Sequence, residues 1–120
     1  MAEPTLTASE RETLANVLAP FADRIERVGV FGSRATGRAR PNSDIDLVIY
    51  GDIDAELENR LWTLFEDSNL AVTVDLAAYP LILHPGLKAH IDATVATVFK
   101  KRDLEARRPG GPLAGASGGS

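Results

Sequence analysis

A turn-forming Gly-Ser pair stands ten residues ahead of two closely spaced aspartates, and this spacing limits the fold more than any other feature of the chain. The apolar run before the pair, Val28–Phe31, is short enough to be a buried strand. Gly32 and Ser33 then turn the chain, and we expect Ser33 to cap a short helix that ends at Gly37. The free N–H groups at the start of such a helix suit the phosphates of a triphosphate. A loop is predicted through Pro41–Ser43.

The two aspartates lie at the start of the next predicted strand, residues 45–50. Side chains two positions apart share one face of a strand, so Asp44 and Asp46 project together while the aliphatic residues between and after them face the core. Two carboxylates side by side repel each other near neutral pH, and a bound Mg²⁺ ion relieves that repulsion. Phosphate-binding backbone beside metal-binding carboxylates indicates phosphoryl or nucleotidyl transfer.

One pattern in the chain resembles the signature of the DNA polymerase β-like nucleotidyltransferase superfamily. It consists of Gly32–Ser33, ten further residues and then Asp44–Ile45–Asp46. With segments 31–37 and 43–47, the chain is most similar to the minimal nucleotidyltransferases, or MNT proteins. The similarity extends roughly from Leu14 to Phe99. It implies an α/β (α+β) fold of the polymerase β type, ordered αβαβαβ, with a small mixed sheet and a closing C-terminal helix.

The resemblance also implies roles for individual residues. In the family, carboxylates such as Asp44 and Asp46 hold two Mg²⁺ ions, and a third carboxylate on a neighbouring strand joins them and accepts a proton from the attacking hydroxyl. Asp75, in a third predicted strand, is our candidate for that role; the alternative is that it faces solvent on an edge strand. Gly32–Ser33 would hold the phosphates of ATP. Arg34 would either assist phosphate binding or face solvent.

By resemblance, the expected reaction moves AMP from ATP to a hydroxyl acceptor, a tyrosine of a HEPN-domain toxin, and the protein is thereby an antitoxin. Two alternatives stay open. One is an antitoxin that only binds its partner, without turnover. The other is a small-molecule nucleotidyltransferase, of the kind that modifies aminoglycosides, which would need an acceptor domain that we do not find after the core.

Composition is typical of one globular domain. We predict an N-terminal arm at 1–6, the nucleotidyltransferase domain at 7–105 and a disordered Gly/Pro/Ser-rich tail at 106–120. The chain has no cysteine, which excludes disulfides and thiolate metal sites. A net charge of −4 without a basic stripe argues against direct nucleic-acid binding. No signal-like or membrane-spanning stretch is present, so we expect a cytoplasmic protein with no membrane partner.

The remaining helices and strand follow from hydrophobic periodicity. A capping box at Thr7–Glu10 opens a first helix that stops by Pro20. A second long helix follows residues 52–54, and the third strand is predicted at Leu70–Ala77. The apolar spacing from Leu87 to Phe99 predicts one amphipathic helix, with a basic run complementing the dipole at its end.

Three further features of the sequence are candidates for site residues. Asp52–Ile53–Asp54 repeats the letters of the first acidic pair, but no phosphate-binding turn precedes it, so we interpret it as a helix cap. His84 and His90 have no spacing that pairs them with the acids. We therefore expect both to be surface or loop histidines.

Overall fold

The computed structural model describes residues 6–37 and 43–107, within which four strands and five α-helices form one domain. The strands are β1 (Ile25–Val30), β2 (Ile45–Gly51), β3 (Val74–Ala78) and β4 (Ala96–Lys100). The helices are α1 (Ala8–Leu18), α2 (Ser33–Thr36), α3 (Ala55–Glu66), α4 (Pro85–Thr94) and α5 (Lys101–Glu105), and short 3-10 helices span Ala19–Phe21 and Tyr79–Leu81. Most of the predicted arm, loop and tail lies outside the described residues.

The strands form one mixed sheet in the order β3-β2-β1-β4. β1 is antiparallel to both of its neighbours, whereas β2 and β3 are parallel and are joined through α3. A parallel pair needs such a crossover connection because the chain must return to the same end of the sheet. The predicted α/β class with a small mixed sheet is confirmed.

The main core lies between one face of the sheet and the helices α1, α3 and α5. Every second residue of β2 from Ile45 to Ile49 points into it, and β1 contributes Ile25, Val28 and Val30, with a register shift after Ile25. Leu14, Leu61 and Leu104 belong to the same core and come from the three helices. α4 packs on the opposite face, where Ile91 contacts Phe31 and Val48. Both faces are therefore covered, but α4 covers only part of the second one. No helix in the described parts of the chain is long and apolar enough to cross a membrane.

The predicted starts of α1 and α3 are confirmed. Thr7 and Glu10 form the reciprocal capping box of α1. The Asp54 carboxylate accepts a hydrogen bond from Leu57 N–H and caps α3, so the second Asp-Ile-Asp segment is a helix start. Side-chain oxygens at these positions satisfy N–H groups that have no partner within the helix.

The predicted helix from Leu87 to Phe99 is wrong in its second half. α4 ends at Thr94, and β4 then pairs with the edge of β1 that β2 leaves open. Val95, Val98 and Phe99 fit a helical spacing, but β-branched and aromatic residues also favour strands, and pairing with β1 decides between the two. The basic run consequently lies at the end of β4 and the start of α5 rather than at a helix C-terminus.

The third strand starts later than predicted. It begins at Val74 instead of Leu70, because β2 begins at Ile45, which is the register partner of Val74. Leu70 and Val72 still pack against the core, but outside the strand.

Candidate active site

The turn between β1 and α2 is built around Gly32. Its backbone has φ 71° and ψ −142°, a conformation that L-residues with a side chain rarely adopt. A methyl group added there would lie 2.9 Å from Asp46 Oδ2. Both the backbone and the adjacent space therefore require glycine. Gly32 is also the residue before the helix, and Ser33 is the first helical residue, so the prediction that Ser33 caps α2 is wrong.

The predicted end of α2 is confirmed. Gly37, with φ 78°, ends the helix in the left-handed conformation. This single helical turn separates the Gly32 turn from the segment that leads to β2.

The three predicted acids lie on one face of the sheet. Asp46 and Asp75 are register partners across the parallel strands β2 and β3. Adjacent strands are about 5 Å apart, and residues in register on neighbouring strands project to the same side. Asp44 stands two residues before Asp46 and is exposed, while Ile45 is fully buried on the opposite face. The predicted alternation is confirmed.

The electrostatics of this group centre on Asp46. Burial raises the pKa of the Asp46 carboxyl, the negative charges of Asp75 and Asp44 raise it further, and His90 acts in the opposite direction. Ionised Asp46 is thus held among like charges in a partly desolvated position. Such a pKa shift from burial and neighbouring charge is typical of functional sites.

The acids offer oxygen ligands to a hard cation. Within residues 6–37 and 43–107, no three His, Cys, Asp or Glu side chains are close enough together to hold a metal ion by themselves. Mg²⁺, however, usually takes only one or two protein carboxylates and completes its shell with water and substrate phosphate oxygens. Asp44 and Asp46 fit that requirement, since a cation would relieve the repulsion that raises the pKa of Asp46.

Arg34 is used inside the fold. Its side chain is buried, and its guanidinium donates two hydrogen bonds to the Glu10 carboxylate, at 2.8 and 3.2 Å, and one to the Ser43 carbonyl. It therefore does not face solvent, so that alternative is wrong, while the assistance to phosphate binding stays a prediction. Arg34 instead joins α1 to the residue that precedes Asp44, which positions the acidic segment.

The partner of Arg34 is the Glu10 carboxyl, whose pKa is lowered in the fold. Burial would raise the pKa of Glu10, but the hydrogen bonds from Arg34 and Thr7 and the Arg34 charge outweigh it and hold that pKa below its ordinary value. Glu10 is thus ionised in the fold and serves both the α1 cap and the buried ion pair.

α4 contributes two residues that the sequence analysis missed. The Thr94 hydroxyl accepts a hydrogen bond from Gly32 N–H at 3.1 Å and donates one to the His90 carbonyl at 2.8 Å. The His90 ring lies edge-on to Phe31, and its Nε2 would be 3.8 Å from a methyl group added at Gly32. The one available sequence signal was that His90 and Thr94 are four apart, on one helix face.

His84 is different. It is the residue before α4, and its Nδ1 accepts a hydrogen bond from Leu87 N–H. It is exposed, as expected, and acts as a helix cap.

Residues 12–108 match the family model of the nucleotidyltransferase domain. The chain belongs to this family. The match includes the Gly32 turn, all three acids and α4. Comparison with curated protein sequences finds no significant match.

Solved structures similar to this nucleotidyltransferase include toxin–antitoxin complexes. One, a toxin–antitoxin with AMP-PNP, is 19% identical, has a TM-score of 0.62, and aligns over 80% of this chain and 78% of its own. Another, the toxin–antitoxin MntA-HepT, is 18% identical, has a TM-score of 0.55, and aligns over 80% and 75% respectively. At this identity the likeness establishes the fold.

Proposed function

We propose that this nucleotidyltransferase transfers AMP from ATP to a hydroxyl acceptor, a tyrosine side chain of a HEPN-domain toxin, and thereby acts as an antitoxin. The observation that carries the proposal is the register pairing of Asp46 with Asp75 beside the Gly32 turn. The similarity to MntA-HepT and to a toxin–antitoxin with AMP-PNP supports the choice of nucleotide and partner.

The phosphates of ATP would lie against the turn. Gly32 N–H already donates to Thr94, which leaves Ser33, with its hydroxyl and N–H, as the donor residue of the predicted pair. Asp44 and Asp46 would hold Mg²⁺, with Asp75 beside them. When bound there, Mg²⁺ would offset part of the negative charge of the triphosphate and would lower the pKa of an acceptor hydroxyl.

The transfer makes and breaks one bond at the α-phosphorus. The acceptor hydroxyl oxygen attacks that phosphorus, and the bond from the phosphorus to the oxygen bridging the α- and β-phosphates breaks, so pyrophosphate leaves. Asp75 accepts the hydroxyl proton; it is exposed and beside Asp46, where an acceptor approaches from solvent. Asp44, Asp75 and His90 are all exposed, so the site is open enough for an acceptor that belongs to another protein.

Binding without turnover is the second candidate. It is supported by the likeness to the toxin–antitoxin MntA-HepT, which suggests contact with a toxin independently of the acids. Under this alternative the fold would neutralise the partner by contact alone, and the acids would have no role in inhibition.

The test is to incubate the protein with ATP, Mg²⁺ and the product of the adjacent gene, which we expect to be a HEPN-domain protein, and to measure the mass of that product. We expect a gain of AMP on a tyrosine with the wild type and with Asp52→Asn, and none with Asp46→Asn or Asp75→Asn. Asp52 belongs to the second Asp-Ile-Asp segment and is a matched control. Inhibition that persists in all variants without a mass change would instead support binding alone.

A further inference from the structure

β3 is the last strand of the sheet, and its outer edge lies next to the acids. The strand order leaves β3 paired with β2 alone, and no strand among residues 6–37 and 43–107 pairs with its other side. Ile45 N–H donates to the Thr73 carbonyl at 2.9 Å, so that carbonyl points toward β2. Because the backbone groups of successive strand residues point to alternate sides, those of Asp75 and Ala77 also face β2. The N–H and carbonyl of Leu76 point outward, as at an unpaired sheet edge.

This edge is protected at one end only. Proteins commonly shield sheet edges because an unpaired edge can bind a strand of another chain. The Glu58 carboxylate accepts a hydrogen bond from Ala78 N–H at 3.2 Å, at the end of β3 that lies away from the acids. At the other end Asp75 is exposed. The outer edge of β3 is therefore accessible where it borders the candidate active site.

The edge has a defined place relative to the Gly32 turn. Across the sheet, the turn follows β1, Asp46 lies on β2, Asp75 lies on β3, and the outer edge comes next. An added strand would lie about 5 Å beyond β3, and its residue in register with Asp75 would project onto the same face. A tyrosine at that position would approach the Asp75 carboxylate from the side opposite the turn.

A groove on the main-core side of the same edge suits a neighbouring side chain. It has a volume of about 370 Å³ and lies between the end of α3 and the segment that leads into β3, with Trp62, Phe65, Leu70 and Val72 in its lining. The side chains of an added strand alternate between the two faces, so a residue beside the tyrosine would point to this side. Main-chain hydrogen bonds combined with pockets for alternate side chains are typical of peptide recognition by strand addition.

The charges along the edge favour a basic partner. Asp75 is exposed on one side of the edge, and Glu66, which lines the groove, is exposed on the other. Glu58 adds a carboxylate at the far end. These side chains would repel an acidic segment and attract one that carries lysine or arginine.

We propose that the acceptor protein binds by adding an extended segment to the outer edge of β3, and that this segment carries a tyrosine flanked by basic residues. The tyrosine is in register with Asp75, and an adjacent side chain enters the groove beside Trp62. This inference rests on the proposed function, since it requires an acceptor that belongs to another protein. It adds the surface by which that acceptor is recognised.

The test measures amide hydrogen exchange residue by residue, with and without the product of the adjacent gene, in the absence of ATP and Mg²⁺. Strand addition gives Leu76 N–H a backbone acceptor, so its exchange should slow by about tenfold. Ala77 is the internal control, because its N–H faces β2 with or without the partner. Its exchange rate should change much less.

A pair of charge variants tests the complementarity. Glu66→Lys should weaken binding of the adjacent gene product about two- to fivefold, and the loss should shrink at high salt. Glu26→Lys is the matched control, since Glu26 is an exposed glutamate of β1 near the opposite end of the sheet. It should bind as the wild type does.

The mass of the adjacent gene product after incubation with ATP and Mg²⁺ distinguishes the inference from the proposed function. If that product gains AMP while Leu76 exchanges as in the free protein, the inference is overturned and the proposed function stands. Slow exchange at Leu76 in the protein alone, together with a dimeric mass in solution, would also overturn the inference, because a second copy would then occupy the edge. If neither the mass nor the exchange changes, both are overturned.

Discussion

The buried Glu10–Arg34 pair supports the most quantitative prediction. The Arg34 side chain is only 3% exposed and that of Glu10 12%, with bonds of 2.8 and 3.2 Å between them. Removing one partner of a buried pair costs about 3–5 kcal/mol because the other charge stays buried. Glu10→Ala should therefore lower the free energy of unfolding by that amount, a large part of the about 5–15 kcal/mol of a typical domain. The loss corresponds to a melting temperature lower by more than about 10 °C.

The chain supplies a control for this prediction on the same helix. Glu12 also pairs with an arginine, Arg107, but that pair is exposed. Surface ion pairs contribute little, so Glu12→Ala should leave the urea midpoint nearly unchanged. Equal destabilisation by the two variants would refute the argument from burial.

The same pair predicts a pH dependence. The folded-state pKa of Glu10 lies below the ordinary value of 4.5. Its stabilisation is therefore fully present above pH 4.5 and is lost as the pH falls through the folded-state pKa. The difference in stability between wild type and Glu10→Gln, measured by urea unfolding across that range, should shrink on acidification; a constant difference would contradict the ion-pair account.

Three further predictions concern the turn and the acids. Thr94→Val should leave Gly32 N–H without its acceptor and cost about 1–3 kcal/mol, with faster hydrogen exchange at that amide, whereas Thr94→Ser should behave as wild type. Gly32→Ala should lower the free energy of unfolding by about 3 kcal/mol through backbone strain, and it should displace Asp46. Gly37→Ala is the control: no atom lies within 4 Å of the added methyl group, so the free energy of unfolding should fall by only about 1 kcal/mol. Asp46→Asn should stabilise the ligand-free protein at neutral pH, because ionised Asp46 is disfavoured in the fold, as its raised folded-state pKa shows. The protonated form of Asp46 favours folding below the ordinary value of 3.8, and that contribution is lost as the pH rises through the folded-state pKa. The gain in melting temperature from Asp46→Asn should therefore vanish in acid.

Local chemistry made much of this fold predictable. The alternation of apolar and acidic residues in β2 predicted that Asp46 lies on the face of the strand that points away from the main core. The capping residues Thr7 and Asp54 predicted two helix starts. Each of these signals acts within a few residues, where side-chain period and capping are decisive.

What escaped prediction depends on contacts between distant segments. Arg34 meets Glu10 across 24 residues, so its local position on α2 could not reveal a buried ion pair. β4 forms because β1 has an open edge, which overrides the helical spacing of residues 95–99. His90 reaches the site only because α4 crosses the sheet above Phe31, and no pattern in the sequence encodes that crossing.

The identity of the transferred group tests the central claim most directly. The protein is incubated with Mg²⁺ and the proposed HEPN-domain partner in two parallel reactions, one with ATP labelled at the α-phosphate and one with ATP labelled at the γ-phosphate. Three acids beside the Gly32 turn predict that the α-label, and not the γ-label, appears on the partner together with pyrophosphate, and that Asp46→Asn abolishes it. Transfer of the γ-label, or α-labelling that survives Asp46→Asn, would contradict the account.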